Sequence, residues 1–237
     1  MSQLRLFCFP YAGGSALVYQ KWNRYLRQDI LLRPVELAGR GKRINEKMYE
    51  NVYVAADDLF HIIKEEIAMG PYAFFGHSMG GMLAYEIAQK IRREGLPGPA
   101  HIFFSARRPP HISKEEDKKY HLMETDVFKR EIINLGGTPV EFFEHPELIE
   151  LYLPLLKNDF KLSETDLFEG TIHPLDCSIT VLSGKGDDLT EADCEEWSMH
   201  TRQKCNIHYF EGGHFFIKDY MEGVTGIINN TLSAGHF

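Results

Sequence analysis

Six short apolar runs, at 4–9, 30–36, 72–75, 101–105, 178–183 and 206–210, alternate with longer segments of helical period. No other feature constrains the fold as strongly. The helical segments fall at 16–27, 52–68, 80–94, 191–200 and 216–231. Within 52–68, Val52, Ala55, Ala56, Leu59, Ile62, Ile63 and Ile67 recur at three-and-four spacing and so share one helix face. Buried strands separated by helices join in parallel, with the helices covering both faces of the sheet. The pattern predicts an α/β domain with a mostly parallel sheet. Ligands of such sheets collect outside the carboxyl ends of the strands, so the residues just after each run carry the most functional information.

The third run ends abruptly. Tyr72-Ala73-Phe74-Phe75 leads into Gly76-His77-Ser78-Met79-Gly80-Gly81, and a helical pattern begins at once. Strand, Gly-x-Ser-x-Gly and helix together form a nucleophile elbow, a sharp turn that holds a serine hydroxyl at the sheet edge. The flanking glycines suit a turn in which Cβ atoms would collide with the neighbouring strand and helix. A serine hydroxyl needs a base to take its proton, and that base needs a third group to fix its tautomer. Two later strand ends offer both in the required order. Val181-Leu182-Ser183-Gly184-Lys185-Gly186-Asp187-Asp188 supplies carboxylates, and Phe210-Glu211-Gly212-Gly213-His214 supplies an imidazole. Ser78, Asp187 and His214 are the candidate catalytic residues; Asp187 is preferred over Asp188, which reads as a cap or turn residue. Of the eleven histidines, His77 precedes the serine and should point away from its hydroxyl in a structural role. The oxyanion of acyl transfer calls for two backbone N–H donors, here Met79 and, in the loop Pro10-Tyr11-Ala12-Gly13-Gly14-Ser15, Ala12. No Gly-Lys-Ser/Thr follows that Gly-Gly pair, which excludes a phosphate-binding loop.

The alternation lapses between about 109 and 174. Helical patterns at 125–135 and 146–160 flank a turn at Gly136-Gly137-Thr138-Pro139, and Pro154 is expected to end or kink the second helix. Leu148, Leu151, Tyr152, Leu155, Leu156 and Phe160 are apolar on more than one face. The segment is either a cap that lines a substrate pocket or an extra helical layer of the core. The division is therefore a core of 1–108 and 175–237 with a helical insertion at 109–174. A net charge of −8 disfavours non-specific binding to nucleic acid or anionic membrane. No apolar run approaches the roughly 20 residues that span a bilayer, and the amino-terminal residues lack a signal-peptide layout. Cys8, Cys177, Cys194 and Cys205 show no C-x-x-C spacing and read as reduced thiols of a cytoplasmic protein.

Six motifs in order resemble one family. Phe9-Pro10-Tyr11-Ala12-Gly13-Gly14, Glu36-Leu37-Ala38-Gly39-Arg40-Gly41, Gly76-His77-Ser78-Met79-Gly80-Gly81, Ser105-Ala106-Arg107-Arg108-Pro109-Pro110, Leu135-Gly136-Gly137-Thr138-Pro139 and Gly212-Gly213-His214-Phe215 resemble the type II, editing thioesterases of non-ribosomal peptide and polyketide synthases. The resemblance covers nearly the whole chain; Ala38 stands where members often have proline. It implies an α/β-hydrolase fold whose insertion is a mobile helical lid over the acyl pocket. It also implies a substrate: an acyl, aminoacyl or peptidyl thioester on the phosphopantetheine arm of a carrier protein. No metal or organic cofactor is expected, since phosphopantetheine arrives with the substrate, and the chain is expected to be a monomer. Carrier proteins are typically acidic near the arm, so docking calls for a local basic patch. Arg40, Lys42, Arg43, Arg107 and Arg108 follow strands at the expected edge, with internal bracing of loops by Arg40 and Arg107 as the alternative.

Overall fold

The computed structural model describes residues 3–112, 118–137 and 145–233. Six strands, β1 (Leu4–Phe9), β2 (Ile30–Pro34), β3 (Tyr72–His77), β4 (His101–Ser105), β5 (Ser178–Gly184) and β6 (Cys205–Phe210), form one sheet in the order β2-β1-β3-β4-β5-β6. Every pairing is parallel. Connections run from β1 outward to β2 and then back across to β3, so the loops after β1 and β3 part to opposite sides. This switch point is where an open α/β sheet forms a crevice.

Side-chain alternation along the strands builds two cores. Phe7 and Phe9 of β1 and Tyr72 and Phe74 of β3 face α1 (Val52–Ile67) and α2 (Met79–Arg93). Leu6 and Cys8, with Ala73 and Phe75, face the opposite layer, which includes α6 (Phe216–Asp219) and α7 (Met221–Ser233). That layer also holds 16–24, a tight 3₁₀ helix where an α-helix was expected. Its buried Tyr19 and Trp22 lie three residues apart, and a three-residue turn stacks such a pair on one edge against Phe75. β2 stops at Pro34, two residues short of expectation. The expected helix at 191–200 divides into α5 (Glu191–Glu195) and a 3₁₀ turn, and that at 216–231 divides at Tyr220.

Between β4 and β5 the described residues contain α3 (Thr125–Leu135) and α4 (Pro146–Ser163) and no strand. These helices share a small core of Phe128, Ile132 and Leu156, flanked by Tyr152 and Phe160. α4 packs against α2 and delivers Leu162 to the main core. It runs through Pro154, as the helical pattern at 146–160 requires, and continues to Ser163. Pro154 is exposed, so the carbonyl left without its donor can be hydrated while Leu155 and Leu156 stay packed on either side. The expected turn begins at Gly136, which caps α3 in the left-handed region at φ 76°. Thr138 and Pro139 lie outside the described residues.

Candidate active site

β3 ends one residue before Ser78. Ser78 adopts φ 54° and ψ −117°, a sparsely populated conformation for a residue with a side chain. Backbone bonds on both sides hold it there. Its N–H donates to the Ser105 carbonyl at 2.8 Å, and its carbonyl accepts from Gly81 N–H at 3.0 Å. Gly80 explains the close fit of the turn: a Cβ on it would lie 2.0 Å from the Phe9 carbonyl oxygen. α2 therefore starts directly against the end of β1, whose Phe9 is in register with Gly76. The loop carrying Ala12 leaves the sheet beside the elbow.

The Asp187 and His214 loops are tied together by backbone. β5 and β6 pair up to Gly184 and Phe210; beyond them Gly186 N–H donates to the Gly212 carbonyl at 2.8 Å. Asp187 N–H closes its own turn onto the Gly184 carbonyl at 3.0 Å. His214 then stands between two partners. Its Nε2 lies 3.0 Å from Ser78 Oγ, and its Nδ1 lies 3.1 and 3.0 Å from the two Asp187 carboxylate oxygens. The Asp187 side chain is 3% exposed. Burial pushes its carboxyl upward, but the hydrogen bond and charge of His214 and the Asp188 N–H, 2.8 Å from Oδ1, together hold it below the usual range. It therefore stays ionised at neutral pH. Asp188 turns away, 76% exposed and 3.7 Å from Arg108.

His77 is fully buried and has its Nδ1 2.8 Å from Ser105 Oγ, with its ring 5.3 Å from that of His214. Burial, followed by the nearby His214, pushes it well below the ordinary imidazole value, so it is neutral. Met79 opens α2, where the first N–H groups have no partner within the helix. Ala12 sits in a turn closed by Gly14 N–H on the Tyr11 carbonyl at 2.8 Å.

The cations expected to dock a partner divide differently. Arg40 is 6% exposed and grips Asp159 of α4 with both terminal nitrogens, at 2.6 and 2.7 Å. That placement sets Arg40 against docking and agrees with the alternative of internal bracing. Arg43 is taken up by Asp58 at 2.7 Å and by Glu46, and Arg107 donates to the Ser163 hydroxyl and carbonyl at 3.0 and 3.1 Å. All three brace loops. Only Lys42 is exposed, and Arg108 lies beside Asp188. Sequence reasoning missed Asp159 and Tyr152, which reach the Ala12 loop. The available signal was an acidic residue one helical turn after Leu155 and Leu156, on the face those apolar residues share.

Comparisons with known proteins agree with this geometry. Residues 4–232 match the Thioesterase domain family. Linear gramicidin dehydrogenase LgrE of Brevibacillus parabrevis is 34% identical over 237 residues, covering 98% of this chain and 89% of that protein. Among solved structures, ClbQ from the colibactin NRPS/PKS pathway superposes with a TM-score of 0.92 at 36% identity, covering 98% of each chain. The type II thioesterase BorB from the borrelidin biosynthetic cluster gives 0.85 at 31% identity, covering 97% of this chain and 92% of that one. A match along almost the whole length, on a six-stranded parallel sheet with the elbow at its switch point, leads to one assignment: the chain belongs to the thioesterase family, on the α/β-hydrolase fold.

Proposed function

We propose that the protein hydrolyses acyl, aminoacyl or peptidyl thioesters on the phosphopantetheine arm of carrier proteins, clearing misprimed or stalled modules of a non-ribosomal peptide or polyketide synthase. The observation that carries the reading is the unbroken line from Ser78 Oγ through His214 to Asp187, at 3.0 Å on both sides of the imidazole. The ionised carboxylate keeps Nδ1 as the donor, which leaves Nε2 with its lone pair toward the serine. His214 takes the Ser78 proton as the hydroxyl oxygen attacks the thioester carbonyl. The developing oxyanion is held by the Met79 and Ala12 N–H groups. Collapse breaks the C–S bond and expels a thiol of intrinsic pKa about 8.5, protonated by His214. Water, deprotonated by the same imidazole, then releases the acid and restores Ser78.

This chemistry calls for no resident metal or organic cofactor; phosphopantetheine comes with the substrate. The core of 1–108 and 175–237 carries the reacting groups, and the insertion at 109–174 serves as the lid over the acyl chain, with α3 and α4 as its helices. Lys42, exposed after the second strand, meets an acidic carrier. Among the described residues no helix is long and apolar enough to cross a membrane, and Cys8, Cys177, Cys194 and Cys205 are all free thiols; our reading is of a monomer that works in the cytoplasm beside a synthase. The test compares kcat/KM for one acyl group on a carrier, on coenzyme A and as an oxygen ester. A clear preference for the carrier is expected. Equal turnover of the oxygen ester would point instead to a general esterase. Lys42→Glu should raise KM for the carrier thioester and leave a small thioester unaffected; equal effects would remove Lys42 from docking.

A further inference from the structure

α4 reaches across to the loop that would bind the oxyanion. Tyr152, Leu156 and Asp159 lie at spacings of four and three, so one stripe of the helix faces that loop. Asp159 is fully buried and accepts three hydrogen bonds. Two come from Arg40, and the third comes from the Gly13 N–H, at 2.7 Å. The Tyr152 hydroxyl donates to the Gly13 carbonyl, and Arg40 also donates to the Gly14 carbonyl at 2.9 Å. Three successive peptide groups after Ala12 are thus gripped from outside their own loop. Gly13 itself turns at φ 76°, and a Cβ there would lie 2.3 Å from the Tyr152 hydroxyl. The fit between helix and loop is close.

A donor for a developing oxyanion is effective only if it is aimed before the charge appears. The Gly13 N–H belongs to the peptide unit joined to Ala12, so fixing that unit fixes one of the two backbone bonds that orient the Ala12 N–H. We propose that Asp159 and Tyr152 are positioning residues that preset the Ala12 oxyanion donor, so that the helix covering the site also assembles its hole. The inference rests on the hydrolase reading above and extends it to residues of the insertion.

Removing Asp159 alone would leave a buried, unpaired Arg40, a loss large enough to unfold the chain. The test therefore removes the whole ion pair in two ways. Arg40→Met with Asp159→Leu leaves no acceptor for the Gly13 N–H, whereas Arg40→Met with Asp159→Asn keeps one carbonyl oxygen there. Thermal melts establish that each double variant is folded, and turnover is read on a small acyl thioester. The Leu variant should lose kcat on the order of 10- to 100-fold with KM within about twofold. Its affinity for an alkyl boronic acid, which forms a tetrahedral adduct on the serine, should weaken in parallel. The Asn variant should recover kcat to within about fivefold. Tyr152→Phe, which keeps the ring, should lower kcat about three- to tenfold and decides the matter if neither double variant folds. Equal kcat for the Leu and Asn variants, a loss confined to KM, or an unchanged Tyr152→Phe would overturn the positioning role while leaving the hydrolase reading intact. A wild-type protein without thioester turnover would overturn both.

Discussion

Asp187→Asn tests whether the carboxylate does the work its position suggests. Its two oxygens lie 3.1 and 3.0 Å from His214 Nδ1, in a side chain only 3% exposed. When His214 takes the Ser78 proton, the charge centres of imidazolium and carboxylate stand roughly 4 Å apart. At an effective dielectric constant of about 20 their attraction is about 4 kcal/mol, which corresponds to about 10³ in rate. Asn removes that charge and turns an amide NH₂ toward Nδ1, favouring the tautomer whose Nε2 carries a proton and cannot accept another. The combined loss in kcat should reach about 10⁴. Asp188→Asn is the internal control, because the Asp188 side chain is 76% exposed and faces Arg108. It should stay within about threefold of wild type, since its backbone N–H on Asp187 is kept. The assay follows thiol release from a small acyl thioester with a chromogenic disulfide, alongside thermal melts of all three proteins. A loss below tenfold in Asp187→Asn, or an equally severe loss in Asp188→Asn, would refute the argument.

Three further outcomes follow from the same geometry. Ser78→Ala should reduce turnover at least 10⁴-fold with the melting temperature within about 2 °C, since among the described residues the hydroxyl's hydrogen-bond partner is His214 alone; residual turnover above a hundredth would count against a serine nucleophile. Gly80→Ala forces a Cβ to within 2.0 Å of the Phe9 carbonyl oxygen, so the elbow must shift at a cost of about 2–3 kcal/mol, seen as a drop of about 4–12 °C in melting temperature. An unchanged Tm and kcat would show that the turn has slack the structure does not have. His101 is buried against Thr180, and burial lowers its pKa to about 4. Above pH 6.5 it is neutral in both states; below that the unfolded chain takes up a proton first, so stability falls until the folded form protonates near 4. By pH 5 this one residue accounts for a loss of about 2 kcal/mol, and His101→Gln should shrink the difference in unfolding free energy between pH 7 and pH 5 by that amount. Urea titrations at both pH values with the same difference in each protein would contradict this.

The parts of the fold that were legible in the sequence are those with a local cause. Buried parallel strands must be apolar throughout, and Leu4–Phe9 and His101–Ser105 have the bounds that their composition predicts. The three strand ends that bring Ser78, Asp187 and His214 within hydrogen-bonding reach each carry a glycine-rich turn, which is visible without knowing the neighbours. Element type was less legible where several solutions suit one pattern. The segment at 16–24 has an apolar side under either helical period, and only the packing of Tyr19 and Trp22 on Phe75 selects the tighter helix. The sequence alone left open what Pro154 does, because its penalty depends on whether the orphaned carbonyl meets water; on α4 it faces outward and the helix passes through it.

Charge pairing was the least legible, for a reason that also bears on function. Arg40 lies among several cations in a loop, where docking and internal bracing were both open, and its partner is 119 residues away. Charge along a sequence reveals that a group is costly to bury, but not whether burial has been compensated. Asp159 is informative from the other side of the pair. An acidic side chain among Leu155, Leu156 and Phe160 cannot face an apolar neighbour unless it meets a cation and further donors there. Two of its bonds go to Arg40; the third goes to a loop amide beside the elbow. The buried charge on α4 is therefore stabilised by the Gly13 loop beside the elbow, and that loop in turn by the helix. Packing of α4 and the conformation of the Gly13 loop are thus coupled, which ties an insertion between β4 and β5 to the loop that follows β1 beside the elbow.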